Sequence, residues 1–223
     1  MSRREQAKTE RRRRIIAAAR ELVRETGDTG LSMRAIAARA GVSLATPYNL
    51  FGSKRAIVVA ILEDVRELQE RFNQLPKCDP VERIFQSLAI AIGFYVQDPE
   101  FYRTLWSGVL DTSGKEELRS AILNQESQGF WAGLVEDARK AGALRPEISA
   151  DVLVRNLIFT QEAVMLNWVF GEVATEQLED LVAYGYALSL RGATTEAYAK
   201  VLDAQIVRRQ EALAQSWPKP QAR

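Results

Sequence analysis

The sequence predicts an all-α protein in two parts, a small N-terminal three-helix segment and a larger helical body. Three observations carry that reading. Apolar residues recur at helical spacing along the chain, and no alternating strand pattern interrupts them. Glycine and serine punctuate residues 27–53 at intervals that stop and start short helices. Charge is divided: residues 1–55 hold 13 Lys+Arg against 5 Asp+Glu, while the rest of the chain holds 17 against 24.

Each element follows from its own residues. Ile15, Ala19, Leu22 and Val23 mark a helix over 10–26, and Gly27 and Gly30 bracket the loop after it. Ser32 is placed to cap a second, short helix, with Leu31 stapled onto Ile36 across the cap. That helix stops at Gly41. A third opens at Ser43 and closes at Phe51-Gly52. Ser53 then caps a longer helix carrying Ile57, Ile61, Leu62, Val65 and Leu68, ended by Pro76 and Pro80. Further helices are expected at 80–97, 100–110, 115–141, 149–170, 175–190 and 194–215, with a frayed tail from Trp217. The expected division is a domain at 1–55 and a second at 56–223.

Composition excludes several classes of function. The 223 residues suit one or two domains of about 150 residues each. There is no histidine, which removes imidazole metal sites and histidine-based catalysis. The single cysteine, Cys78, excludes an intrachain disulfide and any CxxC site. The uncharged stretch between Arg83 and Asp98 is fourteen residues, short of the roughly 18 that span a bilayer. The expectation is a cytoplasmic protein with no membrane partner, no metal and no cofactor.

Residues 32–54 carry the strongest pattern. Ala37 is small where a second helix must cross closely, and Gly41, four residues on, supplies a turn where a positive φ costs least. Val42 plugs the space between the helices, and Ser43 is placed to satisfy amides at the next helix start. That start is the end that enters a DNA groove. The competing reading is an ordinary αα-corner. The preceding basic charge and the following Thr46, Tyr48 and Lys54 favour DNA.

Here the sequence resembles a known family. Residues 10–60, and above all Gly41-Val42-Ser43-Leu44-Ala45-Thr46-Pro47-Tyr48-Asn49-Leu50-Phe51-Gly52-Ser53-Lys54, are similar to the DNA-binding head of the TetR family of bacterial transcriptional regulators. In the body the likeness is architectural, apart from Gly142-Ala143-Leu144-Arg145-Pro146, which looks like a common family helix ending. The resemblance implies that Arg34 reaches a base, with guanine O6/N7 its natural bidentate target. It places Leu44, Ala45 and Thr46 in the major groove, with Asn49 beside them. Ser32, Ser43, Tyr48 and Lys54 would hold phosphates, and Arg11 to Arg14 would lie near the backbone or enter the minor groove. Two positions depart from the family pattern. Pro47 lacks the N–H that would bond back to Ser43, which predicts an irregular first turn. Leu50 stands where His or Tyr is frequent.

The family reading assigns the body to dimerisation and to a small-molecule effector. The pairing helices would carry Leu153, Val154, Leu157, Ile158, Met165 and Trp168, and then Leu178, Leu181, Val182, Gly185 and Leu188. These stripes serve a protomer's own core equally well, and periodicity does not separate the two. Candidates for effector binding are Phe94, Phe101, Tyr102, Trp106, Phe130, Trp131, Phe159 and Glu162, with Arg103 and Arg155 as alternatives for holding a carboxylate. The expected function is a ligand-responsive repressor that binds a palindromic operator as a homodimer and is released by an apolar or aromatic effector.

Readings from other classes remain. No enzyme motif is present: Gly108 to Lys115 has five residues between its glycines where a P-loop has four, and Glu116 where that motif has Ser or Thr. A helical partner-binding or scaffold protein that has lost operator binding is favoured only by Pro47 and Leu50. Cys78 beside Lys77 suggests a thiol switch.

Overall fold

The computed structural model describes residues 2–62, 66–76, 78–110 and 125–216. The readings that touch Val65, Lys77, residues 111–124 and the tail from Trp217 lie outside the described residues. Eleven α-helices are found among the described residues, and no strand. They fall into two units. The first takes the chain to residue 65 together with 98–124, and the second takes 66–97 together with 125–223.

The first unit holds α1 (Arg3–Thr26), α2 (Met33–Arg39), α3 (Ala45–Phe51), α4 (Lys54–Leu62) and α7 (Pro99–Leu110). Its core is built from Ile15, Ala19 and Val23 of α1, Ile36 of α2, Ile57 and Ile61 of α4, and Phe101, Leu105 and Val109 of α7. The unit thus extends past residue 55, because α4 and α7 supply much of the apolar surface that α1 buries. Fully burying a Leu, Ile or Val side chain contributes about 1.5–3 kcal/mol, so α2 and α3, with few such residues, depend on this shared core.

α1 begins seven residues before its apolar spacing predicts. Ser2 and Glu5 form a reciprocal capping box, with Glu5 N–H donating to Ser2 Oγ (3.2 Å) and Ser2 N–H to Glu5 Oε2 (2.7 Å). α2 opens after Ser32, but the Ser32 hydroxyl makes no cap hydrogen bond; its carbonyl accepts from Ile36 N–H at 3.0 Å. α2 ends in a Schellman turn. Val42 N–H donates to Ala37 C=O (3.0 Å) and Gly41 N–H to Ala38 C=O (3.1 Å), with Gly41 at φ +62°.

The start of α3 also differs from expectation. The Ser43 hydroxyl pairs with the Thr46 hydroxyl (2.9 Å) instead of capping a backbone amide, while Thr46 N–H closes a tight turn onto Ser43 C=O (2.9 Å). Pro47 is the third residue of the helix. Its missing N–H belongs to the first turn, where no intrahelical acceptor exists, so no helical bond is lost. The irregularity expected from Pro47 is confined to that tight turn. Gly52, at φ +77°, ends α3, and Ser53 Oγ caps α4 by accepting from Ala56 N–H (3.1 Å).

The second unit holds α5 (Arg66–Asn73), α6 (Pro80–Gln97), α8 (Gln125–Lys140), α9 (Ala150–Val169), α10 (Leu178–Ala193) and α11 (Ala199–Ser216), with short 3-10 turns at Thr175–Gln177 and Glu196–Tyr198. α10 is its centre and packs on α6, α9 and α11. Trp168, Tyr186, Leu88, Ile92, Leu157, Leu178 and Leu190 are fully buried. The asparagine of α9 and the serine of α10 tie the two helices, with Asn156 Nδ2 donating to Ser189 Oγ at 2.8 Å. Gly185 serves the same contact: a Cβ there would lie 2.6 Å from Thr160 Cγ2. The close approach it permits is therefore within one chain. Leu153, Val154, Leu157, Ile158, Met165, Trp168, Leu178 and Val182 likewise face the protomer's own core, which corrects their assignment as pairing residues.

Two glycine substitutions test this description. Gly41→Ala is expected to cost about 1–2 kcal/mol, because an L residue is strained at positive φ. Gly129→Ala, in α8 where a Cβ meets nothing within 4 Å, is expected to gain about 0.5–1 kcal/mol from helix propensity. Urea midpoints of the two variants should move in opposite directions.

Candidate nucleic-acid interface

α3 is two-faced. Pro47 is buried and Leu50 and Phe51 pack toward the core, while Ser43, Leu44, Ala45, Tyr48 and Asn49 face solvent. Leu44 is 45% exposed and Tyr48 52% exposed, large side chains that the unit's own core leaves uncovered. Thr46 is half-buried, its hydroxyl turned to Ser43. Ser32 and Arg34 of α2 and Lys54 at the start of α4 are exposed. The structure therefore leaves eight of the nine predicted contact residues open and withdraws Thr46 in part.

The cations of this unit divide by role. Arg39 is held by Glu25 (2.8 Å) and Glu21 (3.2 Å) of α1, and hydrogen bonding from Glu25 first, then Glu21, raises its pKa above the ordinary value. Arg24 pairs with Asp98 (3.0 Å) and lies over the Phe101 ring. Arg34 and Lys54 have no ion pair among the described residues. A cation left unpaired beside exposed hydroxyls is placed to meet an anion without first breaking an internal bridge.

Sequence reasoning treated Arg11 to Arg14 as one group, and the structure separates them. Arg14 donates through Nε to Ala40 C=O (2.9 Å) and through Nη2 to Gly41 C=O (2.7 Å), which fastens α1 to the turn. Arg12 stacks over Phe51, 4.3 Å from its ring centroid. Arg13 pairs with Glu10. The signal for Arg14 was its place directly before Ile15, the first buried residue of α1.

The eight effector candidates do not form one cluster within either unit. Phe101, Tyr102 and Trp106 lie on α7 in the first unit, and Phe101 belongs to that unit's core, in a T-shaped contact with Tyr102 at 5.1 Å. Phe130 and Trp131 of α8 lie in the second unit, Trp131 between Phe130 (5.5 Å) and Tyr186 (6.0 Å). Phe94 lies under the Arg71 guanidinium. Phe159 is 53% exposed and lines no interior. Sequence reasoning missed Tyr186, fully buried on α10, whose hydroxyl donates to Gln161 Oε1 (3.2 Å).

Glu162 is half-buried with no ion pair among the described residues, and burial pushes its carboxyl up to about 8. Arg155, the alternative anion holder on the same helix, is exposed. Among the described residues no group of acidic or cysteine side chains is placed to hold a metal ion, and no helix is long and apolar enough to cross a membrane.

A short helix held out by a glycine turn, its outer face uncovered and flanked by unpaired cations, is the reading element of a helix-turn-helix DNA-binding protein. The chain's N-terminal segment carries the domain shared by the TetR family of bacterial regulators. Residues 15–61 match the model described as "Bacterial regulatory proteins, tetR family". The HTH-type transcriptional regulator UidR of Escherichia coli (strain K12) is 27% identical over 176 residues, 76% of this chain and 83% of that relative. The HTH-type transcriptional repressor KstR of Rhodococcus jostii (strain RHA1) is 35% identical over 79 residues, 35% of this chain and 37% of the repressor. In fold, the chain is similar to the full-length TetR regulator TylP from Streptomyces fradiae, with a TM-score of 0.61 at 18% identity, covering 97% of this chain and 100% of TylP.

Glu162 yields a signed pH dependence. Its folded pKa of about 8 exceeds the ordinary 4.5, so between these values the folded chain binds more protons than the unfolded one. Its contribution to stability is full below 4.5 and is lost as pH rises through 8. Glu162→Gln is therefore expected to raise Tm relative to the parent at pH 9 and to change it little near pH 4.5. A Tm difference independent of pH would show that the carboxyl is not held neutral by burial.

Proposed function

We propose that this TetR-family regulator is a ligand-responsive repressor that binds a palindromic operator as a homodimer. The observation that carries the reading is the uncovered outer face of α3, with unpaired Arg34 and Lys54 beside it. In the assignment we favour, Arg34 reads a base, with guanine as its bidentate target. Leu44 and Ala45 hold no hydrogen-bonding group and pack on thymine methyls, with Thr46 and Asn49 at their side. Ser32, Ser43, Tyr48 and Lys54 hold phosphates and set the register. Pro47 removes no helical hydrogen bond, so it no longer favours a scaffold that has lost DNA binding.

Dimerisation supplies the second half-site, about 34–36 Å away or a multiple of that. Apart from Leu188, the residues that support it are not the ones periodicity suggests. Val152 and Phe159, one heptad apart on α9, and Leu188 on α10 are 66%, 53% and 48% exposed on the two helices tied by Asn156 and Ser189. Two such helices from each copy would make a four-helix interface with C2 symmetry, the commonest arrangement. Phe159 thereby moves from the effector set to the pairing face. For the effector we retain the second unit's aromatic residues Phe94, Phe130 and Trp131 with Glu162. Release is a population shift: moving a 1:99 balance to 99:1 needs about 10⁴-fold preference, roughly 5.5 kcal/mol, for one state.

Selection of bound fragments from random DNA at near-physiological salt tests the whole reading. A palindrome with half-sites about one helical turn apart is expected. Within that operator, Lys54→Ala should weaken specific and random DNA about equally. Arg34→Ala should cost about 1–3 kcal/mol at particular base pairs and relax the consensus there. Phe159→Glu should give monomers of unchanged helix content by sedimentation; a dimer of normal affinity would remove α9 from the interface.

A further inference from the structure

α1 is longer than its unit requires. Its first buried residue is Ile15, and residues 2–13 are all exposed. Three helical turns therefore stand beyond the core, with Ala7 as their one apolar residue. This overhang carries Arg3, Arg4, Lys8, Arg11, Arg12 and Arg13 against Glu5 and Glu10. The sign is wrong for a free helix. The N-terminus of a helix carries partial positive charge and favours anions, yet here cations crowd it. Nothing apolar offsets that cost, so the helix gains most from a polyanion laid along it.

The cations are also ordered. Arg4, Lys8 and Arg11 follow one another at i, i+4 and i+7, on one face of the helix. Arg12 lies one turn on from Lys8 on that same side, and its guanidinium stacks over Phe51 at the end of α3. The stripe therefore continues from the α3 side of the unit, where the proposed reading surface lies. Arg4, Lys8 and Arg11 have no ion pair among the described residues, whereas Arg13 pairs with Glu10 and Arg14 is spent on the turn. At 1.5 Å per residue the face from Arg4 to Arg12 spans about 12 Å, long enough for its long cationic side chains to reach several successive phosphates of one strand.

We propose that the overhang of α1 is a second DNA-contact element, a sequence-independent clamp in which Arg4, Lys8 and Arg11 each neutralise a backbone phosphate beyond those held by α3 and its flanks. It rests on the operator reading above and adds a separate term to it. The clamp contributes affinity and salt dependence, and leaves the choice of sequence to α2 and α3.

The test is the salt dependence of operator affinity for the full chain and for the triple variant Arg4→Ala, Lys8→Ala, Arg11→Ala. A second triple variant, Lys140→Ala, Lys200→Ala, Arg208→Ala, removes the same charge from exposed sites in the other unit. Losing three phosphate contacts per subunit should flatten the slope of log K against log salt by about 2.7 per subunit, or about 5 for a dimer. Between 50 and 200 mM salt, the parent should then lose about 10³-fold more affinity than the α1 variant. The α1 variant should select the same palindrome as the parent, and the control variant should keep the parent slope. An unchanged slope in the α1 variant, or an equal flattening in both variants, overturns the clamp. So does a changed consensus, which would make these side chains base readers. A parent that selects no palindrome sinks the operator reading itself, and that result is distinct from a palindrome bound without the clamp.

Discussion

The connection between Arg14 and the turn at Ala40-Gly41 is the constraint on which the reading head depends. α2 and α3 are seven residues each and bury little apolar surface of their own. Neither persists alone, since isolated helices under about 12 residues are marginal in water. Their geometry is held by three devices acting at one place. Gly41 takes the positive φ, Ala37 and Ala38 accept the Schellman bonds, and the Arg14 guanidinium binds the carbonyls that the turn leaves open. Removing the cation would leave those carbonyls with water alone, and would detach the turn from the one long helix that carries the core. The exposure of Leu44 and Tyr48 is the outward result. The inner side of α3 is fully used by Pro47, Leu50 and Phe51, so the outer side has nothing left to pack against.

Much of this was legible in the residues. Gly41, Gly52 and Ser53 mark chain reversals and caps by chemistry that acts locally, and the structure places them in those jobs. Pro80–Gln97 was readable to the residue because an apolar stripe, a proline start and a charge-free interior agree. The misreadings have a common cause. Ser32 and Ser43 have hydroxyls suited to capping, but local propensity does not say which acceptor or donor prevails, and Ser43 is taken by Thr46. The overhang of α1 escaped because apolar spacing was the criterion and this segment has no apolar face. Its start was encoded instead in Ser2 and Glu5.

The body shows the limit of periodicity more sharply. A helix in a two-layer bundle carries one stripe for its own core and, where it pairs with another copy, a second stripe beside it. The sequence displays their sum. Leu157 and Trp168 belong to the inner stripe; Val152 and Phe159 lie outside it, exposed. Nothing in the residue types separates Ile158, 7% exposed, from Phe159, 53% exposed, because both are large and apolar and the apolar positions of this helix run past one face. The aromatic set suffered in the same way. Phe101 has the composition of a ligand contact and the position of a core residue under Arg24.

One junction in the chain has a mechanical meaning. α6 ends at Gln97 in the second unit and α7 begins at Pro99 in the first, so Asp98 alone separates them. That residue is not slack. Its carboxylate is tied to Arg24 of α1, and its carbonyl accepts the Tyr102 N–H that starts α7. Pro99 further removes freedom, since its φ is locked and the residue before it is restricted. A linker of several glycines would absorb a shift at the end of α6 as loop disorder. Here that slack is absent: the residue that opens α7 is already fastened to α1 through Arg24, so α7 enters its unit with its first turn fixed.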